Sequence, residues 1–294
     1  MESQPTRTQS KHMKETSLGP SVFISADMEG CASIVHWDEV QPGASEAYKR
    51  ARTIVASEVN AALEGALGAG ARDAVVNDAH SAMRNLVTFG LDVRARVVTG
   101  RGKPLYMLEG IQSEGKALAF FIGYHGAIGD RDAVMGHTYS PRVIFECRLA
   151  GQVVGELTIN AALAGHYRVP VALVSGDSTT LAEAARNIPW AVRVETKRSL
   201  SYFAADCLSP KAVQEAMRSA GADAVRRSSD MRLFVLPPPI LLEIDTLKTP
   251  QADALDGLGG FMRTGARSIA YSGDDMPEVY RALISIIHLG AAAA

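Results

Sequence analysis

The chain has 294 residues, 47% hydrophobic and 21% charged, which is enough for one large α/β domain or two moderate ones around a sizeable core. With 30 Lys and Arg against 32 Asp and Glu, the formal net charge of -2 leaves no basic footprint, so neither nucleic acid nor an anionic membrane is an expected partner. No run approaches the roughly 20 consecutive apolar residues of a membrane span, and the polar start, residues 1–20, has no apolar signal core and reads as a disordered extension.

Ser21–Ala26 is short, apolar and rich in β formers, which predicts a buried strand broken by Asp27-Met28-Glu29-Gly30. Residues 45–69 predict an amphipathic helix, because Ala51, Val55, Val59, Ala62, Leu63, Ala66 and Leu67 recur at helical spacing, and Gly68 and Gly70 close it. Residues 74–77, Ala95–Val98 and the strongly apolar 117–122 predict three more strands. Residues 143–147 and 151–154 read as a hairpin turning at Ala150-Gly151. A helix Glu156–His166 follows, with Leu157, Ala161 and Ala164 on one face, and then a buried strand over 169–174. Strands alternating with helices imply crossover connections and a mostly parallel sheet flanked by helices.

Past residue 190 the pattern changes. Strands are expected at 233–236 and 240–244, joined through Pro237-Pro238-Pro239, and helices near 210–225 and 277–289, the last with Asp275 as N-cap. The expected organisation is an α/β fold: the extension over 1–20, the main α/β domain over 21–190, and a smaller C-terminal α+β subdomain over 191–294. Cys31, Cys147 and Cys207 are far apart, odd in number and without a CxxC pair, so a reducing compartment, the cytoplasm, is the expected location.

In an open α/β sheet, ligands bind beyond the carboxyl ends of the strands. The first strand is followed by Asp27 and Glu29, the second by Asp78 and His80, and the apolar run 117–122 by His125. Asp27 and Glu29 are two apart, so in extended backbone both project to one face, where like charges repel unless a cation lies between them. Adding His80 and His125 gives an oxygen and nitrogen donor set without thiolate, which suits Zn and also Mn, Fe or Co. Each residue has a plainer alternative, a helix cap for Asp27 and a hydrogen-bonded structural role for either histidine, so spacing alone leaves both readings open. His12 in the tail, His36, His166 at a helix end and His288 packed in an apolar terminal helix take the plainer reading. The glycine-rich 65–70 ends a helix instead of opening one, so it is no phosphate loop, and no Gly-x-Ser-x-Gly elbow is present.

At these positions the sequence resembles the DppA-type D-aminopeptidase family, a group of dinuclear zinc peptidases. The matching stretches are Ser25-Ala26-Asp27-Met28-Glu29-Gly30, Val76-Asn77-Asp78-Ala79-His80-Ser81, Gly123-Tyr124-His125, Val134-Met135-Gly136-His137 and Val154-Gly155-Glu156-Leu157, collinear over nearly the whole chain. The resemblance implies a zinc-dependent aminopeptidase that cleaves the N-terminal amide of short peptides or aminoacyl amides, D-residues included, through a metal-bridged hydroxide. It implies two zinc ions per subunit: Asp27 bridging both, Glu29 and His80 completing one site, His125 and Glu156 the other, and His137 as the catalytic histidine. It also implies a homo-oligomer, a ring-shaped decamer. Two departures bear on substrate preference: the stretch 126–133 is one residue longer than the family pattern, and Thr138-Tyr139 stand where a Ser is expected. A metal-dependent amidohydrolase of non-peptide amides is the alternative. Metal-bound histidines donate their second N–H to a carboxylate or carbonyl; Asp78, Asp177 and Asn160 are candidates, with capping or turn formation as the other explanation for each.

Overall fold

Short apolar runs alternate with helices because a parallel strand must have both faces covered. In the computed structural model, which describes residues 19–112 and 117–293, this alternation yields two sheets. The expected N-terminal extension lies, up to residue 18, outside the described residues. The first half contains β1 (Ser21–Ala26), α1 (Trp37–Val40), α2 (Glu46–Gly68), β2 (Ala74–Asp78), β3 (Ala95–Val98), β4 (Ala117–Tyr124), β5 (Ile144–Leu149) and β6 (Gln152–Val153). Then come α3 (Glu156–His166), β7 (Val171–Asp177), α4 (Ser178–Asn187), β8 (Val192–Ser201), β9 (Ala204–Cys207) and α5 (Pro210–Arg226). The chain ends with β10 (Ile240–Thr246), α6 (Thr249–Asp253), β11 (Phe261–Arg263), β12 (Ser268–Gly273) and α7 (Met276–Ala292).

The main sheet has the order β3-β2-β1-β4-β7-β8-β9, parallel except for the last strand. Alternate residues of its central strands serve opposite faces. Val22, Ile24, Phe120 and Ile122 pack under α2 and α5 with Val59, Leu63, Val213 and Met217. Phe23, Ala119 and Phe121 join Leu157, Ala161, Leu242, Ile244, Leu283 and Ile286 on the other side. Each fully buried Leu, Ile or Phe contributes roughly 1.5–3 kcal/mol of transfer free energy, which is why these strands read as unbroken apolar runs. The antiparallel second sheet has the order β11-β12-β10-β5-β6. α3 packs on β4 and β7, α7 on β10 and β12, and the two helices on each other, which joins the sheets through one core. The expected division at residue 190 falls between α4 and β8, and β8 continues the main sheet.

The strand expected at 233–236 is absent. That segment alternates as a strand would, with Phe234 and Leu236 against the core and Leu233 and Val235 exposed, but it pairs with no strand and instead lies on α3 at Gly165. The following prolines remove donors that a ladder would need. β8, β9, β11 and β12 had no expectation attached to them, because short, half-exposed strands carry few apolar positions. His288, expected to pack, is exposed on α7.

Candidate metal centre

Register places the outlets of the three central strands side by side. Ala26 is level with Asp78 of β2 and Ile122 of β4, so the residues that follow each strand emerge at one edge. β1 lies where the strand order reverses, the crevice at which open α/β sheets take ligands. The chain then turns sharply across the end of β4. Asp27 N–H donates to Ile122 O at 2.8 Å and Gly30 N–H to Gly123 O at 2.8 Å. Gly30 passes so close to Tyr124 that an added Cβ would lie 1.7 Å from its carbonyl oxygen.

Each histidine is aimed by a backbone carbonyl. A carbonyl only accepts, so the ring nitrogen facing it carries the proton and the other nitrogen is left with a lone pair in the neutral ring. His80 Nε2 donates to Val40 O at 2.7 Å, which turns Nδ1 to Asp27 Oδ1 at 3.1 Å and Glu29 Oε2 at 2.9 Å. His125 Nδ1 donates to Gly126 O at 3.0 Å, and its Nε2 lies 3.6 Å from Asp27 Oδ2 and 3.7 Å from Glu156 Oε1. The two oxygens of Asp27 thus face different histidines. Glu156, the first residue of α3, also accepts from Tyr139 N–H at 2.6 Å. His137 Nδ1 donates to Met135 O at 2.8 Å, its Nε2 is 3.8 Å from Glu156 Oε1, and its ring stacks on His125 at 4.2 Å. All six sequence-chosen residues are therefore gathered and buried at one place.

Among the described residues, two sets of ligand atoms lie within 4.8 Å of one another: Asp27, Glu29 and His125, and His125, His137 and Glu156. By distance alone His137 belongs to the second set, whereas the family pattern gives it a separate role.

Protein groups alone satisfy this site poorly. Both carboxylate oxygens of Glu29 and Nε2 of His125 are buried without a hydrogen-bond partner; His80 Nδ1 is near Glu29 but makes its directed bond to Asp27. An unpaired buried carboxylate costs several kcal/mol. Burial and neighbouring Glu29 raise Asp27, and burial pushes Glu156 up to about 8, with His125 opposing and Asp27 assisting. Burial also opposes ionisation of Glu29, but His80 outweighs it and holds this carboxyl well below its usual range. Burial disfavours charge on His125 too, yet Glu156, Glu29 and Asp27 together lift it to about 9; burial likewise disfavours charge on His80, but Glu29 and Asp27 outweigh it and raise this ring well above its usual range. His137 is pushed down to about 3 by burial and His125. A bound cation satisfies the orphaned atoms and the crowded carboxylates together, and the donor set fits zinc.

Above these residues opens a cleft of about 490 Å³, with Trp37, Tyr106, Tyr139, Arg142 and Tyr202 around it. Of these rim residues only Tyr139 stands out in the sequence, as a departure bearing on substrate preference; the others lie in short turns and irregular segments that carry no periodicity. Trp37 meets the His137 ring edge-on at 5.4 Å, and Met135 N–H donates to Tyr202 O at 2.8 Å, tying the β8–β9 turn to the His137 loop. The three candidates for supporting the histidines do not touch their rings. Asp78 accepts from Leu86 N–H at 2.8 Å and from Asn85, closing a turn; Asp177 caps α4 through Thr180 N–H at 2.8 Å and accepts from Gly126 N–H at 3.2 Å; Asn160 bonds the hydroxyls of Tyr124 and Tyr139. The carbonyls of Val40 and Gly126 take that supporting role instead.

Residues 21–285 match a family model described as D-aminopeptidase. The chain is 31% identical over 272 residues to a D-aminopeptidase from Bacillus subtilis (strain 168), covering 91% of this chain and 97% of that one. Its fold is similar to a solved structure, the Zn-dependent D-aminopeptidase DppA from Bacillus subtilis, a self-compartmentalizing protease. The TM-score is 0.86 at 30% identity, over 92% of this chain and 98% of that chain.

Proposed function

Because the chain belongs to the D-aminopeptidase family, we propose that it is a zinc-dependent aminopeptidase that releases the N-terminal residue of short peptides, those with D-residues included. The observation that carries this reading is the bifacial Asp27, with one oxygen toward His80 and the other toward His125, beside a Glu29 whose oxygens have no hydrogen-bond partner. In this reading Asp27 would serve both ions, Glu29 and His80 would complete one site, His125 and Glu156 the other, and His137 would be the catalytic histidine. Mn, Fe or Co fit the same donors.

Divalent cations held by these residues would supply Lewis acidity and an activated water near neutral pH. The remaining work falls to side chains. His137 donates through Nδ1 to Met135, so its neutral Nε2 is bare and turned to the centre, placed to accept a proton and return it to the leaving amine. Trp37 and Tyr202 line the cleft, with ring centroids 6.4 Å apart. Its volume of about 490 Å³ suits a dipeptide, a tripeptide or an aminoacyl amide. Neither relative supports the alternative, hydrolysis of non-peptide amides. The self-compartmentalizing neighbour supports a homo-oligomer, with a ring-shaped decamer as the finer proposal. The free cysteines, two of them buried, support a cytoplasmic location. No helix among the described residues is long and apolar enough to cross a membrane.

The test pairs metal analysis with turnover on D- and L-aminoacyl substrates. His137→Ala is expected to keep its zinc and lose about 10²–10⁴-fold in turnover, whereas His80→Ala and His125→Ala lose zinc as well. A His137→Ala protein stripped of metal would refute the division between ligand and catalyst.

A further inference from the structure

The loop that carries Asp27 and Glu29 wraps around a buried amine. Lys197 projects from β8, separated from β4 by one strand, and is 1% exposed. Its ammonium donates to Cys31 O at 2.9 Å and to the carbonyls of Glu29 and Ile34. An ammonium has three N–H donors, so all are used on this loop. No carboxylate among the described residues lies within ion-pair distance of it, so its partners are backbone dipoles alone. Three carbonyls that point their negative ends at one spot repel one another unless something positive occupies it. The adjacent Thr196 hydroxyl donates to Gly30 O, and Glu58 of α2 accepts from Ala32 N–H at 2.8 Å.

We propose that Lys197 is a positioning residue for the metal centre: by gathering the carbonyls of Glu29, Cys31 and Ile34 it fixes the backbone from which the Glu29 ligand projects. The inference rests on the reading of Asp27 and Glu29 as metal ligands. Glu29 needs such help because its carboxylate has no hydrogen-bond partner of its own, so its aim is set from the backbone end. A ligand without that anchor has more conformations to lose on binding a cation, and affinity falls accordingly.

The experiment measures the zinc dissociation constant by competition with a chromogenic chelator, on folded protein checked by circular dichroism. Lys197→Met keeps the length and removes all three donors. It is expected to weaken zinc binding by about 10–100-fold, with turnover recovering toward the wild-type value at saturating zinc. Leu283→Ala, in the core on α7 and neither a proposed ligand nor part of the cleft lining, provides a destabilised control and should leave the zinc constant unchanged. Wild-type zinc affinity in Lys197→Met, or an equal loss in Leu283→Ala, overturns the proposal. If Lys197→Met yields no folded protein, Lys197→Gln, which retains two donors, is judged by the same criterion. Asp27→Asn separates the two layers. If it leaves zinc affinity intact, the ligand reading itself fails; if it weakens zinc while Lys197→Met does not, only the role of Lys197 fails.

Discussion

Replacing Gly30 by Ala places a methyl group where the structure has backbone. The new Cβ would lie 1.7 Å from Tyr124 O, 2.5 Å from Tyr124 C and 2.6 Å from Gly123 C. Favourable carbon contacts begin at about 3.5 Å, so the loop or the end of β4 must retreat by well over an ångström. Neither can do so freely. Gly30 N–H is bonded to Gly123 O, its carbonyl accepts from Thr196, and Lys197 holds the residues on either side. Overpacking costs about 1–3 kcal/mol, and each hydrogen bond lost adds about 1 kcal/mol. A total near 3 kcal/mol in a chain of this size lowers Tm by on the order of 6–12 °C. Because Glu29 is the preceding residue, zinc content should fall as well. Gly68, at the end of α2, has nothing within 4 Å of its added Cβ, so Gly68→Ala should leave Tm unchanged or raise it. Thermal unfolding by circular dichroism and zinc analysis of the two variants decide the matter. A Gly30→Ala protein with wild-type Tm and full zinc would refute the claim that this close approach builds the site.

Burial raises the Glu58 carboxyl from 4.5 to about 7. Its folded pKa exceeds its unfolded one, so the stability it contributes is complete below pH 4.5 and lost as pH rises through 7. Glu58→Gln carries no charge to bury, so relative to wild type it should gain about 3 kcal/mol between about pH 5 and about pH 8 in denaturant unfolding; a gap that does not change with pH would refute this. Metal removal by a chelator should lower Tm and added zinc restore it, since free zinc at about 1,000 times its dissociation constant stabilises by about 4 kcal/mol. A Tm indifferent to both treatments would leave the orphaned oxygens of Glu29 unexplained.

The central strands of the main sheet were legible because parallel strands buried on both faces leave apolar runs, and the outlets of those runs carry Asp27, Glu29, His80 and His125. Glu156 and His137 were reachable only through family resemblance. Glu156 opens a helix behind a Gly cap with no side-chain bond, and His137 belongs to a loop whose shape depends on Met135 and Tyr139 at positive φ. No periodicity encodes either one. Lys197 escaped notice for a different reason: in a half-exposed edge region, a lysine between Thr196 and Arg198 reads as solvated, and only the fold turns it inward. The error at 233–236 has a related origin. Alternation records which side chains face a core, and a segment lying on a helix satisfies it as well as a strand does.

The charge balance of the proposed centre bears on how many ions it holds. Asp27, Glu29 and Glu156 bring three negative charges to a buried site, while the histidines are oriented by neutral carbonyls and gain no charge from behind. One divalent ion would leave a net negative floor beneath the cleft, which opposes the oxyanion that develops as an amide carbonyl is attacked. Two would leave a single positive charge, or none once a hydroxide is bound, and so would not repel that oxyanion. Within the proposed reading, the carboxylate count is thus a reason to propose two ions instead of one.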